Sequence, residues 1–195
     1  MRRLHLLTIA MAAVLLVGCS SPVVHSPHGK IYEEPQAAPA LALIDHTGQP
    51  FDLTAHRGNV VLVFFGFTHC PDICPTALAD LARVRQQLGS AAARLQVVFV
   101  AVDPERDTQE LLAHYVTAFD PSFVGLRGTA QELAPVIADY RVKVQRTELP
   151  GSALGYSMDH SAFIFVIDGA GNLRQRLIHG VETVDEIVAD VRALL

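Results

Sequence analysis

The sequence carries no basic excess and no long run of like charge: 15 lysines and arginines stand against 20 aspartates and glutamates, a formal net charge of -5 at pH 7 with a pI near 5.9. An electrostatic footprint for nucleic acid is thereby excluded. No internal repeat is apparent, so the chain is not a repeat array. Cysteine is scarce, with three residues in 195, and these divide unequally: Cys19 closes an apolar N-terminal segment, whereas Cys70 and Cys74 sit together in the body. What is present is a 50% hydrophobic content, enough for one domain with a core and too little length for two.

The N-terminal segment has the pattern of an address. Arg2 and Arg3 supply positive charge, and residues 4–17 are apolar apart from His5 and Thr8. This stretch is short for a bilayer span, which needs about 20 residues. It ends in Leu16-Val17-Gly18-Cys19, which resembles the lipobox of bacterial lipoproteins, where the cysteine becomes the lipid-bearing mature N-terminus. The expectation is a signal peptide over 1–18, a lipid-anchored tether over 19–40 and a folded domain over 41–195. Cys19 would then be the lipidation site, and the domain would face the periplasm of a bacterial cell envelope, where thiols can be oxidised. Pro22, Pro27, Pro35 and Pro39, with no apolar periodicity, support the tether. His25 and His28 within it are expected to be solvated.

Beyond residue 40 strands and helices alternate. Residues 41–44 and 51–53 flank a turn at Asp45-His46-Thr47-Gly48, predicting a small leading hairpin. Residues 60–65 form a continuous apolar run of β-branched and aromatic side chains, the pattern of a strand buried on both faces. Pro75, Leu78, Leu81 and Leu88 then mark a helix ending at Gly89. A second buried strand is predicted over 95–102, and Asp107-Thr108-Gln109-Glu110 resembles a capping box for a helix through Phe119. A strand at 123–126, a helix at 130–140 and a strand at 142–144 follow. A hairpin of 162–167 with 173–178 and a closing helix from Val184 complete an α/β fold with a mixed sheet.

The chemistry concentrates in GFTHCPDICPT, Gly66 to Thr76, between a buried strand and a helix. A separation of four lets both sulfurs face one point if the segment curls into a helical turn, and it also permits a disulfide. A helix N-terminus favours thiolate, the form that both metal binding and disulfide exchange require. Two sulfurs with one imidazole suit copper, Cu(I) preferring the thiolates and Cu(II) the added nitrogen, and zinc competes for the same donors. A redox dithiol and a structural disulfide stay open on spacing alone. Asp103 should share the sheet edge with Cys70 if the first two buried strands are parallel. His160 can reach that edge only if its own strand runs antiparallel to them.

GFTHCPDICPT, VDPERDT at 102–108 and YSMDHSAFIFVID at 156–168 together resemble, in order and spacing, the three signature segments of the Sco/SenC family. The likeness covers about residues 41–195. It implies a thioredoxin-like fold with a mixed central sheet flanked by helices, and copper held by Cys70, Cys74 and His160. It further implies assembly of the CuA centre in subunit II of cytochrome c oxidase, or service to another cuproprotein. Tyr156, Asp159 and Asp103 occupy surrounding motif positions and are expected to support the site. The chain has no tryptophan, whereas ordinary thioredoxins place one before a C-x2-C pair; with C-x3-C and His160-Ser161-Ala162 here, the balance moves toward metal. A thiol-disulfide oxidoreductase that reduces the CuA cysteines, with Cys70 and Cys74 as its redox pair, is the alternative, and a redox or copper sensor is a third. His69 is not expected as a ligand, and His46, His56, His114 and His179 are expected at the surface.

Overall fold

The computed structural model describes residues 28–195. The signal-peptide and lipidation expectations, Cys19 included, lie outside the described residues, as does the tether up to Pro27. The elements are β1 (Lys30–Ala37), β2 (Ile44–Asp45), β3 (Val60–Gly66), α1 (Ile73–Leu88), β4 (Leu95–Ala101), α2 (Gln109–Phe119) and β5 (Val124–Arg127). They continue with α3 (Ala130–Asp139), β6 (Val144–Glu148), β7 (Tyr156–His160), β8 (Phe163–Ile167), β9 (Asn172–Ile178) and α4 (Val184–Leu194). Seven strands form one mixed sheet in the order β1-β9-β8-β3-β4-β5-β2, and β6 and β7 form a separate two-stranded ribbon.

All seven residues of β3 are buried, as its unbroken apolar run requires of a central strand. β3 pairs with β4 in parallel and with β8 in antiparallel register, Phe64 standing opposite Phe99 on one side and Ile164 on the other. The thioredoxin-like mixed sheet is therefore the observed fold. Helix α1 packs against α4 and α2. Helices α3 and α4 each start with a capping box, Thr129 with Glu132 and Thr183 with Glu186.

Several expectations need correction. Residues 30–37, assigned to the tether, are an edge strand antiparallel to β9, with a register shift between Ile31 and Gln36. The folded unit thus includes Lys30 rather than starting at Leu41. His28 is not simply solvated: its backbone N–H and Nδ1 both meet the buried carboxylate of Asp190, at 3.1 and 3.0 Å. Gln175 donates to that carboxylate as well, at 2.8 Å. The pairing of β1 was invisible locally because its partner lies some 140 residues later in the chain.

The leading hairpin is present but short: Asp45 N–H bonds Gln49 O, Phe51 N–H bonds Leu43 O, and Ile44 bridges Pro50 in antiparallel register. Its second arm gives way to a 3-10 turn over Leu53–His56, and on their other side Ile44 and Asp45 pair with β5. Thr108 alone caps α2, accepting from the amide of Leu111, and no box forms. The strand expected at 142–144 lies further on, as β6. His46, His56 and His179 are partly buried rather than surface groups: His46 accepts from the amide of Gly125, His56 stacks on Phe51, and His179 meets Thr76 and Asp80. His114 is exposed as expected.

Removing residues 1–37 rather than 1–27 should lower stability measurably. It takes away the edge strand and both His28 hydrogen bonds to buried Asp190, and a buried polar group that loses its partner costs about 1–3 kcal/mol. The midpoint of urea unfolding, compared between the two truncations, measures the difference.

Candidate metal centre

The site forms where three chain segments converge at one end of the central strands. Cys70 lies in the turn after β3, and Cys74 is the second residue of α1. Because β3 and β4 are parallel, the loop after β4 that carries Asp103 emerges at the same end. Because β8 is antiparallel to β3, the chain enters β8 at that end too, which brings in His160, the last residue of β7. The antiparallel orientation on which the site depended is therefore present.

One ligand atom from each of Cys70, Cys74 and His160 lies within 4.8 Å of the others. The His160 Nε2 is 3.3 Å from the Cys74 sulfur, and its Nδ1–H donates to the Ser161 carbonyl at 3.2 Å. That second bond selects the tautomer whose Nε2 lone pair points at the sulfurs. Phe64 and Phe67 meet the imidazole edge-on, each with ring centroids 5.9 Å away, which fixes the plane of the ring. Both cysteines are free thiols.

The two sulfurs are not equivalent. Cys74 is fully buried, whereas Cys70 is partly exposed. The backbone N–H of Cys74 donates to the Cys70 sulfur at 3.4 Å, so that sulfur caps the first turn of α1, where the side chain of Asp72 makes no cap bond. A hydrogen bond from Cys74 holds the Cys70 thiol far below its ordinary pKa, helped by the amides of Asp72 and Cys74 against the opposing effect of burial. The Cys74 thiol is pushed up, because it donates to Cys70 and because it is buried. Both shifts act in the same sense, favouring the charged form at the more exposed Cys70 over the buried Cys74.

Gly66 makes room for this arrangement: a Cβ there would stand 2.7 Å from the Cys74 sulfur and 2.8 Å from the Phe99 ring. A shallow hollow of about 230 Å³ opens over the cluster, lined by Cys70, Pro71, Ile73, Met158 and His160 among others. Ile73 is 41% exposed at its rim.

The expected supporting residues separate. Asp103 is buried and accepts from the Tyr156 hydroxyl at 2.9 Å and from Arg106 Nε at 2.5 Å. Tyr156 lies between the guanidinium groups of Arg106 and Arg146, each 3.6 Å from its ring centroid. Asp159 is exposed and accepts from Thr147 across the ribbon at 2.6 Å, on the face of β7 opposite His160. His69 is hydrogen-bonded to Thr68 and lies outside the cluster.

Asp107 is the residue that sequence reasoning assigned wrongly. It is fully buried and receives both the backbone N–H and the hydroxyl of Thr68, at 3.1 and 2.6 Å, so it holds the cysteine turn rather than a helix. Only its place in the VDPERDT segment hinted at this.

The fold and the cluster define a thioredoxin-like domain with a sulfur–sulfur–nitrogen site able to hold a soft metal ion. The family model described as SCO1/SenC matches residues 30–195. The SCO2 homolog of Bos taurus mitochondria is 40% identical over 133 residues, 67% of this chain and 50% of that protein. A SCO2-like protein of Rickettsia felis is 37% identical over 129 residues, 66% of this chain and 63% of that one. Apo Sco1 of Thermus thermophilus superposes with a TM-score of 0.78 at 38% identity, covering 89% of this chain and 99% of that one. Copper-bound ScoI of Bradyrhizobium japonicum gives 0.73 at 35%, covering 82% and 100%. The chain belongs to the SCO1/SenC family. It spans less than two thirds of the length of these two curated relatives.

Burial pushes the Asp107 carboxyl up to about 6, against the lowering effect of its Thr68 hydrogen bonds. With the folded pKa above the unfolded value near 3.9, the folded state binds more protons between about pH 4 and 6. The contribution of this group to stability is full below about pH 4 and is lost as pH rises through 6. Asp107→Asn should flatten that part of the stability–pH curve, by an amount on the order of 2–3 kcal/mol. Urea unfolding at pH 4 and pH 7 for both proteins measures it.

Proposed function

We propose that the protein is a copper-binding metallochaperone that receives copper, holds it at Cys70, Cys74 and His160, and passes it to an apo cuproprotein, the CuA site of cytochrome c oxidase subunit II being the favoured client. The observation that carries this reading is the convergence of two sulfurs and an oriented imidazole within 4.8 Å beneath an open hollow. Two thiolates suit Cu(I), and the imidazole adds the nitrogen donor that Cu(II) prefers. A three-donor site at the surface lets a partner's ligand attack the cargo and draw it away. Copper is bound in the similar ScoI of Bradyrhizobium japonicum and in the Sco1 of yeast, which is 32% identical to this chain.

A second reading rests on the inequality of the sulfurs. The half-exposed Cys70 thiolate is placed to attack a client disulfide, and the buried Cys74 thiol to resolve the mixed disulfide, leaving the client reduced and this pair oxidised. Reduction of the CuA cysteines before metallation is the corresponding function. The two readings share Cys70 and Cys74 and differ at His160.

His160→Ala should therefore weaken Cu(II) binding by at least about 10-fold, since a whole ligand is lost. Thiol–disulfide exchange and 1:1 Cu(I) uptake should change little. Anaerobic titration of the reduced protein, followed by thiolate-to-copper absorption and by EPR, checks this. Equal preference for zinc, or no uptake at stoichiometric copper, overturns the copper reading, and oxidase assembly that survives His160→Ala overturns delivery.

The cellular setting belongs to the same proposal. Cys19, after Leu16-Val17-Gly18, carries the lipid that tethers the domain on the periplasmic side of a bacterial membrane. Cys19→Ala should move the protein from the membrane to the soluble envelope fraction, and mass spectrometry of the mature wild-type N-terminus should find a lipidated cysteine.

A further inference from the structure

The strand that carries His160 is not part of the main sheet. Among the described residues β7 pairs as a strand with β6 alone, and the ribbon they form is separate from the seven-stranded sheet that carries the cysteine turn. The C-terminal end of β7 is anchored by continuity into β8 and by the bond from Ser161 N–H to the Lys143 carbonyl. At its N-terminal end side chains fasten the ribbon to the loop after β4: the Tyr156 hydroxyl on Asp103, Arg146 of β6 on Glu105 at 2.8 Å, and Arg106, the one of these that reaches the backbone of the β7 end. From the loop after β4, Arg106 donates through Nη1 to the carbonyls of Leu154 and Tyr156, at 3.2 and 3.0 Å. Its Nε donates to Asp103, which also receives the Tyr156 hydroxyl, and its guanidinium lies 3.6 Å from the Tyr156 ring centroid.

The residue next to it, Asp107, grips the cysteine turn through Thr68. The loop between them is itself closed, the amides of Arg106 and Asp107 both bonding the Asp103 carbonyl at 3.2 and 2.9 Å. Two consecutive side chains thus hold the two halves of the site. We propose that Arg106 is a positioning residue of the metal centre, clasping β7 to the loop after β4 so that His160 stays in reach of Cys70 and Cys74. Its guanidinium can do this because one rigid fork serves two carbonyls, a carboxylate and an aromatic face at once. The inference deepens the proposed function and rests on it for the identity of the cargo.

The test uses Arg106→Leu and Arg106→Lys in the full chain, with two readouts. In the metal-free reduced protein, amide hydrogen exchange over Tyr156–His160 should accelerate in Arg106→Leu while exchange in β3 and β8 stays as in wild type. With copper, Cu(II) affinity should fall about 10–100-fold and the imidazole nitrogen coupling in the EPR spectrum should be lost, while Cu(I) uptake by the two thiolates persists. Arg106→Lys keeps the charge but not the fork and should lose less than Arg106→Leu. Unchanged β7 exchange and unchanged nitrogen coupling, or acceleration spread evenly over all strands, would overturn the positioning role. If wild type takes up no copper, the functional reading fails and the exchange experiment still decides the clasp. If Arg106→Leu does not fold, Arg106→Lys and Tyr156→Phe are judged by the same two readouts.

Discussion

The antiparallel pairing of β8 with β3 is the constraint on which the metal centre depends. It turns the chain so that the residue entering β8 from β7 arrives at the end of the sheet where β3 delivers its cysteines. All seven residues of β3 and four of the five in β8 are buried, so a slip of one residue would set large side chains such as Phe64, Phe65 and Phe165 against the wrong neighbours in a close-packed layer. The site thereby draws its geometry from the best-packed part of the molecule, although its ligands lie on a turn, on a helix N-terminus and at the end of a ribbon.

On that frame the electrostatics divide the labour between the cysteines. The Cys70 sulfur sits where the first amides of α1 need an acceptor, and it is partly exposed; Cys74 is sealed beneath it against Gly66 and Phe99. A more exposed sulfur that accepts a helix amide and a buried one beneath it make an asymmetric pair that suits nucleophilic exchange. The same pair with an imidazole at 3.3 Å from the inner sulfur suits a soft cation. The loop of Asp103, Arg106 and Asp107 connects the two halves, and it does so with buried, charge-assisted hydrogen bonds rather than with sheet pairing.

Much of the fold was legible because its signals are local. The continuous apolar run of 60–65, the glycine after Leu88 and the turn at 168–172 each declare an element within a dozen residues, and β3, α1 and the β8–β9 hairpin stand where expected. β1 and β7 were not legible. β1 is an edge strand interrupted by proline, and β7 is a half-exposed strand paired outside the main sheet, so neither carries the apolar period that marks a buried element. Asp107 was misread for a related reason: an acidic residue ahead of a helix has the look of a cap, and only its burial against Thr68 shows otherwise.

Residue types alone were enough for the central strands, the alternation of strands and helices, and the candidate donors Cys70, Cys74 and His160, since donor chemistry and apolar periodicity are local properties. The folded arrangement was needed to show that these donors meet, that Cys70 is the exposed sulfur and Cys74 the buried one, that His28 closes onto Asp190, and that Arg106 reaches the histidine strand. Each of these follows from pairing or burial between residues distant in the chain, and a single sequence carries no local signal for it.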